Sequence, residues 1–117
     1  MWGVAGFKLR RLPDWAAAQA LWRRAFGVKN NRELPCQGRF FIRKQRGVVV
    51  SMCRVDEGEL WDVCTHEDWR SQGHATAVCQ SAIQWARERD ITLLAVTDNP
   101  RLGRWYTWMG CTPSVYV

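Results

Sequence analysis

ELWDVCTHEDWRSQGHAT, residues 59–76, reads as a short apolar strand, a polar turn and a glycine loop that opens a helix. The loop is Arg70-Ser71-Gln72-Gly73-His74-Ala75. A glycine and a small residue two apart let backbone N–H groups approach a ligand closely. The helix that follows points its positive end at the same place, so the loop suits a pyrophosphate. Its spacing, R-x-x-G-x-A, differs from the dinucleotide fingerprint G-x-G-x-x-G and from the P-loop, which needs G-K-[ST].

Upstream of this stretch the chain reads as a meander. Residues 39–43 form a first strand, Arg46-Gly47 a turn, and residues 48–55 a second strand rich in β-branched side chains. Asp56-Glu57-Gly58 is a tight hairpin turn, and residues 60–65 form the third strand, leading into the loop. Downstream, Ala75, Val78, Cys79, Ala82, Ile83 and Ala86 follow the helical period and predict a helix over 75–89. Residues 91–96 are nearly continuously apolar, as in a buried parallel strand. Strand, loop, helix and strand thus make one βαβ unit with its ligand loop at the strand's carboxyl end. Asp98-Asn99-Pro100 starts a last helix to Met109, Gly110 stops it, and residues 111–117 read as a final strand.

The N-terminal part completes the order. Residues 7–12 read as a strand, and Pro13-Asp14 breaks it and starts a helix that Gly27 ends. Trp15, Ala18, Trp22, Ala25 and Phe26 form its apolar stripe, interrupted by Gln19. Residues 28–38 read as loop, with no second helix.

Composition bounds the function. The 117 residues suffice for one domain, residues 1–117, with one core. The five cysteines are scattered without a C-x-x-C, which argues against a zinc site or a disulfide framework and fits a reducing compartment. No metal is expected. No apolar run reaches membrane-span length and the N-terminus lacks a signal peptide's apolar core, so the expected location is cytoplasmic, without a membrane partner. Charge is uneven: residues 1–50 carry a net +9 and residues 51–117 a net −3. A basic half points to an acidic partner, such as a protein surface, a nucleic acid or an acidic small molecule, or else serves only solubility.

The order β, α, β, β, β, loop, α, β, α, β, from Phe7 to the end, resembles the GNAT N-acetyltransferases. The loop is similar to that family's coenzyme A loop, Q/R-x-x-G-x-G/A. Tyr106-Thr107-Trp108-Met109-Gly110-Cys111 is similar to its Y-x-x-x-G-F tail, with Cys111 for Phe. Residues 60–70 look like its strand followed by V-x-P-x-y-R, with Thr65 for Val, Glu67 for Pro and Trp69 for the aromatic. The resemblance implies an α/β fold of the α+β type, a mixed central sheet flanked by helices. The family usually has one more strand, so the C-terminal hairpin is expected to be truncated.

The resemblance also implies roles. Acetyl-CoA is the co-substrate, transferring its acetyl group directly to an amine. The amides of Ser71, Gln72, Gly73, His74, Ala75 and Thr76 would hold the pyrophosphate, and Arg70 adds charge suited to phosphate. The backbone of Val63, Cys64 and Thr65 would pair with the pantetheine amides where the two parallel strands splay, and an N–H there would face the thioester oxygen. Asn99 would bond the pantetheine arm. Tyr106 would protonate the departing sulfur. Glu59 matches the base position of the family's histone-acetylating members, and Asp62 lies nearer the thioester and could act through a water. Both also read as surface carboxylates. His66 reads as solvated loop, and Cys64 as a structural thiol rather than an acyl carrier.

The amine acceptor is expected to be a protein lysine or N-terminus on an acidic surface. A low wall at the truncated hairpin encloses a small molecule poorly, and Arg23, Arg24, Lys29, Arg32, Arg43 and Lys44 supply a basic wall opposite. A homodimer whose second chain supplies the missing wall is the competing arrangement. Two other classes stay open: a non-catalytic acyl-CoA-binding or inhibitory module, and a basic nucleic-acid-binding domain with stacking Trp residues, which no motif supports.

Overall fold

The computed structural model describes residues 4–7, 14–28 and 32–114. Strand β1 (Ala5–Phe7) is followed by helix α1 (Asp14–Phe26), then β2 (Arg39–Gln45), β3 (Val48–Asp56) and β4 (Glu59–Thr65). A short 3-10 turn (Glu67–Trp69) precedes α2 (His74–Arg87), β5 (Leu94–Val96), α3 (Pro100–Met109) and β6 (Thr112–Ser114). The strands form one mixed sheet of six in chain order. Neighbours from β1 to β4 are antiparallel, and β4–β5 and β5–β6 are parallel. The parallel neighbours β4–β5 and β5–β6 are each joined by a helical crossover, α2 and α3, which a parallel pair needs, while α1 lies between the antiparallel β1 and β2. Among the described residues no helix is long and apolar enough to cross a membrane.

Both hairpins turn on residue pairs with positive φ, Arg46-Gly47 and Glu57-Gly58. That backbone matches the right-handed twist of the strands it joins. Asp56, expected in the turn, is the last residue of β3 instead and pairs with Glu59.

The sheet is covered on both faces. On one, Trp15, Ala18, Leu21 and Trp22 of α1 pack on Phe40, Ile42, Met52 and Cys64. On the other, Val78, Cys79, Ala82, Ile83 and Ala86 of α2 pack with Phe41, Cys53, Val55 and Leu60, and Tyr106 and Met109 of α3 join them. Coverage on both sides buries every β3 residue from Val49 to Val55, Ser51 and Arg54 included.

Several expectations change. In α1, Leu21 belongs to the stripe and Phe26 does not, being 51% exposed. Gln19 interrupts the stripe because its Oε1 accepts from the Leu34 amide at 3.0 Å, which anchors the following loop and places Leu34 in the core. Helix α2 ends at Arg87 and β5 begins only at Leu94. The Ile91 amide returns to the Ala86 carbonyl at 2.9 Å, so it closes the helix rather than joining the sheet. His66 is not a solvated loop residue. Half-buried, it accepts the Asp68 amide on Nδ1 at 3.1 Å and caps the 3-10 turn. The first strand, expected over 7–12, overlaps β1 only at Phe7, its remainder lying outside the described residues, as do residues 115–117 of the last.

Candidate functional site

Strand β4 makes the site by leaving its neighbours partway along. Met52 pairs with Cys64 but Arg54 pairs with Trp61, so β4 carries one extra residue. The bulge lies at Asp62, whose φ is 55°. An Asp tolerates this left-handed backbone better than most residues. Beyond it the parallel pairing stops: β4 meets β5 only at Glu59↔Leu94 and Leu60↔Ala95. Cys64 and Thr65 still pair with β3 on one side. On the other side, Val63, Cys64 and Thr65 line a cleft of about 740 Å³.

The glycine loop closes one end of that cleft. Ser71 and Gly73 have φ of 61° and 82°, the kind of backbone that aims successive N–H groups at one point. Gly73 is the N-cap of α2 and has no side chain to satisfy the helix's first amides. The first intrahelical bond is from Ala77 N–H to Gly73 O at 3.0 Å, so the amides of the turn before it have no acceptor within the helix. A Cβ built on Gly73 would meet no protein atom within 4 Å, so the space over the loop is open. Unsatisfied amides, a positive helix end and the Arg70 side chain in the lining fit a bound pyrophosphate.

Helix α3 forms the facing wall. Asn99, Leu102 and Tyr106 recur at helical spacing and all line the cleft, with Trp105 beside Tyr106 at a ring separation of 5.0 Å. Asn99 is also the N-cap of α3, its Oδ1 accepting from the Arg101 and Leu102 amides at 3.0 and 3.4 Å. That leaves its side-chain NH₂ as the group for a ligand. Tyr106 is 9% exposed, and burial pushes its phenol well above its ordinary pKa, with the nearby Cys79, Cys111 and Cys53 adding to the shift. The phenol therefore keeps its proton. Cys64 is also held as a thiol: burial, then the nearby Asp62, push it up to about 12. A protonated thiol is a poor nucleophile.

Of the residues singled out from sequence, Val63, Cys64, Thr65, Arg70, Ser71, Gly73, His74, Ala75, Thr76, Asn99 and Tyr106 line this cleft, whereas Gln72, Glu59 and Asp62 do not. Glu59 sits at the start of β4, half-buried, opposite Asp56 and Leu94. Asp62 has both oxygens occupied, Oδ2 by Arg54 Nε at 2.8 Å and Oδ1 by the Trp22 indole at 3.3 Å. The His74 ring is buried edge-on to Trp69, and burial, then Arg43, lower its pKa. Within the basic wall, Arg24 pairs with Glu67 and Lys44 with Asp14, while Lys29 lies outside the described residues.

Sequence reasoning missed Ala25, Phe26, Trp69, Arg101, Leu102 and Trp105 in the lining. Leu102 and Trp105 were legible as the second apolar face of α3. The last turn of α1 carried no such signal, because its apolar residues look the same whether they face a core or a cleft.

The sequence profile of the Acetyltransferase (GNAT) family matches residues 8–110. No curated protein matches the chain by sequence. Among solved structures, an acyl-CoA N-acyltransferase from Pseudomonas aeruginosa superposes with a TM-score of 0.73 at 17% identity, over 94% of this chain and 86% of that one. A ribosomal-protein-alanine N-acetyltransferase from Brucella melitensis biovar Abortus 2308 gives 0.69 at 18% identity, over 100% and 98%. An aminoglycoside acetyltransferase from an uncultured soil metagenomic sample, in complex with sisomicin, gives 0.60 at 14% identity, over 99% and 77%. These identities speak to the fold alone. The profile match, running from just after β1 to the end of α3, goes further: the chain belongs to the GNAT acetyltransferase family and is an acyltransferase.

Proposed function

We propose that this protein moves the acetyl group of acetyl-CoA directly to a primary amine on a protein, a lysine or an N-terminus. Acetyl-CoA is the co-substrate typical of the family. The observation that carries the reading is the meeting, in one cleft, of an unpaired strand edge at Val63–Thr65, the uncapped start of α2 and the Tyr106 side chain. The strand edge binds the pantetheine amides as an added strand would. The amides around Gly73 and the Arg70 guanidinium hold the pyrophosphate, and the side-chain NH₂ of Asn99 bonds the pantetheine arm.

The amine nitrogen attacks the thioester carbonyl carbon, and a β4 amide beyond the bulge stabilises the oxyanion. As the carbon–sulfur bond breaks, Tyr106 donates its hydrogen bond, and then its proton, to the leaving thiolate, and the phenolate regains a proton from solvent. Burial raises the phenol further above the thiol's ~8.5, so stabilisation of the developing charge outweighs early proton transfer. The nitrogen loses one proton to solvent, and the products are an amide and a free thiol.

An acidic acceptor surface suits the exposed Arg70 and Arg101 at the cleft and Arg32 beside α1. The test combines calorimetric titration with coenzyme A and a turnover assay, comparing proteins with polyamines and aminoglycosides at low and high salt. Binding, with labelling of proteins that weakens as salt rises, is expected. Efficient, salt-indifferent acetylation of small amines alone would overturn the proposal, and binding without turnover would leave a non-catalytic module.

A further inference from the structure

We infer that the acceptor amine reaches this cleft already neutral, and that it is the α-amino group of a polypeptide rather than a lysine side chain. The inference rests on the acetyl-transfer reading above and narrows its substrate. It comes from where the carboxylates are. All eleven Asp and Glu of the sequence fall in described segments, and none lines the cleft. The four nearest in sequence to the reacting strand segment are engaged, exposed or remote: Glu67 pairs with Arg24, and Asp68 is exposed beside His66. Asp62 holds Arg54 and the Trp22 indole. Glu59 lies four residues before Val63, about 13 Å along an extended strand.

The other groups facing the cleft do not replace a base. Cys64 from β4 and Tyr106 from α3 are kept protonated by burial. His74 from α2 sits at the glycine loop, its ring buried against Trp69 and its pKa lowered by that burial and by Arg43. Arg70 and Arg101 are cationic, and α1 contributes apolar side chains only. Among the described residues, an ammonium entering here meets positive charge and, apart from the buried His74 ring at the glycine-loop end, no acceptor for its proton.

Only a neutral amine attacks a thioester. A site without a base must take the neutral fraction that solution supplies. At pH 7.5 that is about one third of an α-amine of pKa ~7.8 and about one part in 800 of a lysine of pKa ~10.4. The difference is roughly 250-fold, part of which the greater nucleophilicity of the ε-amine returns.

The test uses the full chain with saturating acetyl-CoA and two matched peptide pools. One is lysine-free with all twenty residues at a free N-terminus. The other has blocked N-termini and a single lysine. kcat/KM is followed from pH 6.5 to 9.5. The expected result is a preference of at least about tenfold for the free N-terminus at pH 7.5, with a profile that levels off near pH 8. The lysine pool should gain close to tenfold per pH unit throughout. A lysine pool that reacts as fast at pH 7.5, on a flat profile, would overturn the inference by revealing a base, supplied by this chain or a second copy. Binding of acetyl-CoA with no transfer to any free N-terminus would overturn it as well. Loss of acetyl-CoA binding altogether is a different result, because it removes the donor site itself.

Discussion

Arg54 donates from Nε to Asp62 Oδ2 at 2.8 Å, and this pair sits where β4 breaks register with β3. Arg54 is 6% exposed and gives its remaining bonds to the Gln37 carbonyl at 3.2 Å and to Asp56 at 3.4 Å. The Trp22 indole holds the other Asp62 oxygen, so α1, β3 and β4 are tied together at the bulge that opens the cleft. The site's shape therefore depends on an ion pair whose two members lie outside the lining.

The first prediction follows from that pair. Asp62→Ala leaves the Arg54 guanidinium buried without its main partner, and breaking such a pair costs about 3–5 kcal/mol. Asp56 remains nearby, which places the expected loss near the lower end. Urea unfolding should show a clearly lower midpoint. A midpoint equal to the parent's, together with lost turnover, would instead mark Asp62 as the general base.

Gly73→Glu should abolish acetyl-CoA binding while the protein stays folded. The position has a φ of 82° and open space above it, so the new side chain costs about 1–2 kcal/mol in backbone strain and projects a carboxylate toward the phosphates. Circular dichroism checks the fold and calorimetry the binding. Parent-like affinity would show that the loop does not carry the donor.

Tyr106→Phe should keep acetyl-CoA affinity and lower kcat by about 10²-fold or more, the scale of a lost acid. The parent rate should not fall between pH 7 and 9, because burial keeps the phenol protonated across that range. An unchanged kcat in the variant, with chemistry shown to limit turnover, would remove the acid role.

Stability should decline in alkali. Burial raises Cys64 to about 12 and Cys111 to about 11, from an ordinary 9.0. A folded pKa above the unfolded one contributes stability fully present below pH 9, lost as pH rises from 9 through 11 to 12. The slope per thiol approaches about 1.4 kcal/mol per pH unit once the unfolded thiols ionise. Urea midpoints from pH 7 to 10.5 should fall, and Cys64→Ala should make the fall shallower. Equal slopes in the two proteins would mean that Cys64 is solvated.

What the sequence determined by itself was local. The period of Val78, Cys79, Ala82, Ile83 and Ala86 makes α2 wherever that segment sits, because a helix bonds to itself. Gly58 and Gly47 mark the turns of the meander, because glycine adopts their left-handed backbone freely, and Asn99-Pro100 starts α3 through a bond two residues long. Gly73 announces the loop because its residues are contiguous. What the tertiary structure alone decided depends on pairs far apart in the chain. Asp62 looks like an alternating polar residue of β4, and only the register against β3, with Arg54 and Trp22 in place, makes it the bulge that parts β4 from β5. Phe26 looks like core and lines the cleft, since which elements face an apolar side chain is settled by packing. The same packing sends each carboxylate elsewhere, an outcome no spacing along the chain encodes, because a side chain's partner is fixed by distance in space.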